Sequence, residues 1–79
     1  MSSDRVLQFV AEQLVDNPHD VSVTPVEDGG GRNVTLELRV NPDDLGKVIG
    51  KRGRTAKALR TLCKAAAEDD VNVNVEIID

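Results

Sequence analysis

The sequence contains one cysteine, one histidine, one aromatic residue and no long apolar run. Because Cys63 is the lone cysteine, no internal disulfide can form, and with His19 as the lone histidine a cysteine–histidine zinc site is excluded. No stretch approaches the roughly 18 apolar residues that a membrane helix requires, and the N-terminus lacks a basic stretch followed by an apolar core. We therefore expect a cytoplasmic protein without membrane anchor, metal or cofactor, whose stability depends on its hydrophobic core.

The paired groups that enzymes use for acid–base or nucleophilic catalysis are also missing. Cys63 lies on the apolar side of a predicted helix, where a buried hydrophobe is expected rather than a nucleophile. Residues 46–52 have a faint likeness to a nucleotide-triphosphate loop, but that motif requires four residues between its glycines and a serine or threonine after the lysine. Here three residues separate Gly46 from Gly50, and Arg52 follows the lysine. We predict that the chain is not an enzyme.

The composition, with 39% hydrophobic and 30% charged residues, is that of a globular chain. A chain of 79 residues has room for one small domain, which we expect to span residues 1–79. Three- and four-residue spacing of apolar side chains predicts a first helix over residues 5–16, capped by Ser3. Alternating valines then predict a short strand over residues 21–26, and Pro25 favours an edge position for it because proline lacks a backbone donor.

After a predicted glycine turn at residues 29–31, the second half of the chain again shows the apolar spacings of strands and helices. Strict alternation predicts strands at residues 34–40 and 71–77, each with one polar face. Between them Asn41-Pro42 begins a short helix, two glycines interrupt it, and a longer helix follows over residues 54–68 with Leu59, Leu62, Cys63 and Ala66 on its apolar side. The predicted fold class is α+β, with a three-stranded sheet and three helices packed on one face.

The charges are unevenly distributed along the chain. The net charge is −4, which taken alone argues against a nucleic-acid partner. However, residues 45–67, the basic segment, contain seven of the ten basic residues and no acidic residue. This segment therefore carries +7, and the rest of the chain, with three basic and fourteen acidic residues, carries −11. A local basic segment attracts anions within about a Debye length, roughly 8–10 Å.

The basic segment contains a G-x-x-G loop at residues 50–53, the glycine loop, whose two variable positions are Lys51 and Arg52. Glycines remove the side chains that would keep a sugar-phosphate backbone at a distance. The next helix directs its free N–H groups and partial positive charge toward the loop, and Val48 and Ile49 offer an apolar floor for bases. A phosphodiester is the ligand that this pattern predicts. The candidate binding residues are Lys47, Ile49, Gly50, Lys51, Arg52, Gly53, Arg54 and Lys57.

The I-G-x-x-G motif between two helices resembles the KH domain, a single-stranded nucleic-acid binding module. The element order resembles its type II arrangement, with a mixed sheet, and the resemblance extends from about residue 4 to residue 78. The run over residues 44–60 is similar to that of the small bacterial KhpA-like RNA-binding proteins. The resemblance implies that the glycine loop clamps about four nucleotides of single-stranded RNA, with bases in a groove between helices and a strand and Ile49 as a groove and core residue.

The resemblance also implies a role in post-transcriptional regulation or as an RNA chaperone, with a homodimer or a larger KH-containing RNA-binding protein as partner. KH domains commonly have a larger aliphatic residue at the third position after the second glycine of the loop. Ala56 stands at that position here, which makes the wall of the groove thinner. Phe9, the lone aromatic residue, lies in the first helix, so aromatic stacking platforms for bases are missing. The alternatives are a protein-interaction adaptor with a KH fold that acts through dimerisation, and a single-stranded DNA binder.

Overall fold

The computed structural model describes residues 2–79, so Met1, the first residue of the predicted domain, lies outside the described residues. The helices and strands are α1 (Ser3–Leu14), β1 (Ser22–Asp28), β2 (Asn33–Arg39), α2 (Leu45–Ile49), α3 (Arg54–Ala66) and β3 (Asn72–Ile78). Their order confirms the predicted α-β-β-α-α-β arrangement. Short 3₁₀ turns lie at Pro18–Asp20, Gly29–Gly31, Pro42–Asp44 and Lys51–Gly53.

The three strands form one mixed sheet with β2 in the centre. β1 pairs with β2 antiparallel across the glycine-rich turn, and β3 pairs with β2 parallel after the crossover through α2 and α3. Leu36 of β2 lies opposite Pro25 on one side and Val75 on the other. The predicted edge position of the proline-containing strand is confirmed, because β1 has a neighbour on one side alone.

One face of the sheet packs against the helices and forms the core. Leu36 and Leu38 of β2 and Val73 and Val75 of β3 are buried there, because alternate strand residues point to the same face. Side chains from all three helices complete the core. They are Leu7, Ala11, Val48, Leu59 and Cys63. The other sheet face carries mostly polar side chains, among them Thr24, Glu37 and Glu76, as the alternation predicts.

Several details differ from the sequence-based predictions. α1 begins at Ser3 instead of after it, and Ser2 takes the N-cap position without a side-chain hydrogen bond. α3 ends at Ala66 rather than at residue 68. Leu62, predicted on the apolar side of α3, is 39% exposed. Its neighbour Cys63 is buried, and successive helix residues point about 100° apart, so Leu62 lies at the margin of the buried face, beside Leu14 of α1.

Within residues 2–79, no helix has the length and apolar character that crossing a membrane requires.

Candidate nucleic-acid interface

The 3₁₀ turn that leads into α2, the helix before the glycine loop, begins at a well-formed cap. The Asn41 side-chain oxygen accepts a hydrogen bond from the Asp43 amide at 2.9 Å, and Pro42 takes the first position of the turn. This confirms the cap that Asn41-Pro42 predicts. α2 itself is five residues long, and the side chain of its residue Val48 is fully buried. Helices this short are unstable alone, so tertiary contacts must hold α2 in place.

A buried carboxylate provides one of these contacts. The Asp44 side chain is 0% exposed and accepts hydrogen bonds from the Asp16 amide at 3.2 Å and from the Asn17 amide and side chain, each at 3.1 Å. The Lys47 ammonium lies 3.5 Å from Asp44 and 3.1 Å from Asp16. Asp44 thus ties the segment after α1 to the start of α2, a contact that sequence reasoning missed because its partners lie 27 and 28 positions away.

The surroundings of Asp44 and Lys47 stabilise the charged form of both groups. Burial alone would raise the pKa of Asp44, but the hydrogen bonds from Asn17 and Asp16 and the nearby Lys47 charge hold that pKa below its ordinary 3.8. The hydrogen bond and charge of Asp16 raise the pKa of Lys47 above 10.5, and Asp44 adds to this effect. Lys47 is therefore a paired cation at neutral pH.

Gly50 ends α2 and redirects the chain toward α3. Its amide donates to the Gly46 carbonyl at 2.9 Å, and its backbone has φ 75° and ψ 174°. A Cβ atom at this position would lie 2.9 Å from the Thr55 amide nitrogen and would collide with the Thr55 side-chain oxygen. Glycine is required here both by the positive φ and by the closeness of α3.

The rest of the glycine loop leaves an open surface at the start of α3. Gly53 has φ 73°, its amide donates to the Gly50 carbonyl at 3.2 Å, and a Cβ atom there would meet nothing within 4 Å. The backbone of Arg52 also has a left-handed conformation, with φ 57°. α3 begins directly after the loop, so its positive end faces the loop, beside the exposed side chains of Lys51 and Arg52. No side chain caps α3, which leaves its first amide groups free to donate.

The structure brings most of the predicted binding residues to this surface. Arg54 and Lys57 are exposed on the first turn of α3, and Ile49 is 41% exposed at the end of α2. The prediction that Ile49 is also a core residue is wrong, and so is the prediction that Val48 offers a floor for bases, because Val48 takes the core position. Ala56 is buried against the core. Among the predicted basic residues, all of them described, Lys47 alone forms an ion pair.

Sequence reasoning did not single out Arg60. Its Nε donates to the Val75 carbonyl of β3 at 3.4 Å, so its guanidinium lies at the open edge of the sheet. No spacing rule connects a helix residue to a strand carbonyl fifteen positions later. Among residues 2–79, no three metal-ligating side chains come together.

Comparison with known proteins identifies the family. Residues 4–77 match the family model described as KhpA/KhpB, KH domain. The RNA-binding protein KhpA of Clostridium perfringens is 51% identical over 74 residues, covering 92% of this chain and 96% of that protein. The RNA-binding protein KhpA of Leifsonia xyli is 52% identical over 73 residues, covering 92% of each chain. These relatives are named for binding and not for a reaction, in agreement with the prediction of a non-enzymatic protein.

The fold is also similar to that of a solved structure. A crystal structure of Aquifex aeolicus Era bound to GDP and AlF4⁻ matches with a TM-score of 0.60 at 13% identity. The match covers 96% of this chain and 30% of Era, so the chain spans about a third of that protein's length. The family-model match over residues 4–77 and the KhpA relatives, about half identical over most of their length, establish that the chain belongs to the KhpA/KhpB KH-domain family.

Proposed function

We propose that this chain binds single-stranded RNA by clamping about four nucleotides of its backbone at the glycine loop. The observation that carries the proposal is the open, uncapped start of α3 beside two exposed cations, Lys51 and Arg52, with no space at Gly50 for a side chain. The RNA-binding relatives, about half identical over most of their length, support the same ligand. RNA as ligand also supports the predicted cytoplasmic location and a role in post-transcriptional regulation or as an RNA chaperone.

The residues around the loop have different parts in this proposal. Lys51 and Arg52 contact phosphates directly, and Arg54 and Lys57 extend the positive surface along α3. Lys47 supports the site through α2, because its ammonium is already paired with two carboxylates. Ile49 offers exposed apolar surface to a base. If three or four phosphates are neutralised, log K falls with log salt at a slope of about −2 to −3.

The proposal is tested by reversing the charge of the loop with Lys51→Asp and Arg52→Asp together. We expect this variant to fold as the wild type does and to lose binding to a short single-stranded RNA in a fluorescence titration. The control is Arg5→Asp with Arg32→Asp, two exposed basic residues outside the basic segment. Both double variants change the net charge from −4 to −8, so equal loss of affinity in the two, or binding by the loop variant, contradicts the clamp.

We also propose that the chain self-associates, or docks on a larger KH-containing protein, through α1 and α3. These helices expose Phe9 (63%), Leu14 (38%) and Leu62 on adjoining surfaces, and exposed apolar patches mark interaction sites. Two associated copies would place two clamps on one RNA strand and raise the apparent affinity. Sedimentation velocity should show a dimer for the wild type and a monomer for Leu62→Lys, whereas a monomeric wild type contradicts the homodimer.

A further inference from the structure

The turn between β1 and β2 holds an aspartate side chain against the peptide bond that follows it. Asp28 ends β1, and three glycines come next in the sequence. The Gly29 amide donates a hydrogen bond to Asp28 Oδ1 at 2.7 Å. Because Asp28 Cγ is bonded to that oxygen at about 1.2 Å, the Gly29 nitrogen and Cγ lie within about 3.9 Å of each other. Reacting atoms in a near-attack geometry are roughly 3–3.5 Å apart, so these two atoms are close to it.

Little in the surroundings of the turn keeps the two atoms apart. Asp28, Gly29 and Gly30 are exposed, and a Cβ atom at Gly30 would meet nothing within 4 Å. The Gly29 carbonyl accepts one long hydrogen bond, from the Arg32 amide at 3.4 Å. Asp28 and Asn33 form the last pair of the β1–β2 ladder, where local opening costs little. Rotation about the Asp28 Cα–C bond then brings the Gly29 nitrogen onto Cγ.

The sequence offers this combination at one place. No other aspartate precedes a glycine, and no asparagine does. Asp70 is the nearest comparison within the chain, because it is also exposed, lies in a turn and has φ 68°. However, Val71 follows it, and the branched side chain of valine crowds the nitrogen that would have to attack. Gly29 has no side chain to shield its nitrogen.

We propose that Asp28 is a site of spontaneous covalent modification, at which the chain isomerises through a cyclic imide. The Gly29 nitrogen loses its proton and attacks Cγ of the neutral Asp28 carboxyl group. An N–Cγ bond forms, a Cγ–O bond breaks, and the departing hydroxyl group takes up the proton and leaves as water. Water then adds to the backbone carbonyl carbon of Asp28, and the C–N bond at that carbon breaks. The product is isoaspartate, whose main chain runs through Cβ and Cγ and whose α-carboxyl group is free, with mass and oxidation state unchanged.

The modification changes the end of the hairpin and leaves the core in place. Isoaspartate adds one methylene group to the main chain, which displaces the pair of Asp28 and Asn33. The buried residues of β2, Leu36 and Leu38, lie farther along the ladder and are paired with Pro25 and Val23. The inference does not depend on the proposed clamp, and its test does not use RNA.

The test is an incubation of the full chain for several weeks in weakly acidic buffer in which it stays folded. A purified isoaspartyl methyltransferase with tritiated S-adenosylmethionine then labels the free α-carboxyl group, and peptide mapping locates the label. We expect about tenfold more label at Asp28 than at Asp70, because Val71 holds its nitrogen away from the reacting carbon. Asp28→Glu keeps the charge but would have to close a six-membered ring, so it should lose the label.

The inference is wrong if Asp28 carries no more label than Asp70, or if Asp28→Glu keeps the label of the wild type. A parallel incubation in guanidinium chloride measures the same reaction in the unfolded chain. Comparable rates in the two states support the inference. A rate in the folded protein far below that of the unfolded chain would overturn it, since the ladder would then hold Gly29 away from Cγ. Circular dichroism before and after incubation checks that the wild type and Asp28→Glu are folded.

Discussion

Within residues 2–79, two residues other than glycine have positive φ, and they differ in their surroundings. Arg52 (φ 57°) lies in the glycine loop, and Asp70 (φ 68°) lies in the turn before β3. A left-handed backbone costs a residue with a Cβ atom roughly 1–2 kcal/mol. In the glycine loop this strain accompanies an exposed guanidinium at the proposed phosphate site, which is where strained residues tend to serve a ligand.

Replacing each strained residue by glycine separates strain from binding. We expect Arg52→Gly and Asp70→Gly each to keep or raise the free energy of unfolding, by up to about 1 kcal/mol, because glycine adopts positive φ readily. Arg52→Gly should also weaken RNA binding, since it removes a proposed phosphate contact, whereas Asp70→Gly should not. Urea denaturation and RNA titration measure the two effects. Wild-type affinity in Arg52→Gly would show that Arg52 does not touch RNA.

At the scale of elements, the position of the loop depends on α2. This helix has five residues, so its orientation is determined by the burial of Val48 and by the hydrogen bonds of Asp44 to the segment after α1. Asp44 and the adjacent Asp43 both follow Pro42, and the sequence places both carboxylates in one turn. Their roles differ, because Asp44 points inward and is buried while Asp43 is exposed.

The pKa of Asp44 predicts how stability depends on pH. Because that pKa is lower in the folded state than the ordinary 3.8, the stabilisation from the carboxylate is present above about pH 4 and is lost as the pH falls through the folded value. Asp44→Asn should lower the melting temperature at pH 7 and reduce its dependence on pH below about 4.

Asp43→Asn is the matched control for this prediction, since it removes the neighbouring exposed carboxylate. We expect this variant to melt close to the wild type and to keep its acid dependence. Melting temperatures of the wild type and both variants, monitored by circular dichroism at pH 7 and through the acid range, provide the comparison. Equal behaviour of the two variants would mean that the buried hydrogen bonds of Asp44 do not hold α2.

At the scale of the whole molecule, charge is divided between two regions. The basic segment carries +7 and contains the glycine loop, whereas the rest of the chain carries −11. Negative charge on the other surfaces repels nucleic acid within the Debye length. We infer that this division restricts RNA to the surface around the loop and β3.

Neutralising acidic residues outside the basic segment tests this division. Glu68→Gln, Asp69→Asn and Glu76→Gln together change three exposed carboxylates and shift the net charge from −4 to −1. We expect this variant to bind double-stranded RNA, which does not fit the clamp, more tightly than the wild type at low salt. Gel shifts at two salt concentrations measure the change. Unchanged duplex binding would show that the acidic surface has no such effect.

Local signals in the sequence were sufficient for the element order and for the loop. Asn41-Pro42 begins its helix turn, Pro25 lies in an edge strand, and the paired glycines interrupt the helices at residues 50–53. Each of these features depends on the backbone preferences of one or two residues. For the same reason the sequence was less informative about which residues are buried. It did not show that Val48 rather than Ile49 lies in the core, or that Leu62 is partly exposed at the margin of the apolar face of α3.

The sequence by itself determined the α+β class, the separation of charge and the glycine loop that we propose binds phosphate, because periodicity, turn residues and charge are properties of local stretches. The tertiary structure alone decided which carboxylate is buried beneath α2 and which arginine reaches β3. Asp44 meets Asn17, and Arg60 meets Val75, across folded distances that no local preference encodes. These contacts exist because the packing of helices on one sheet face brings distant segments together.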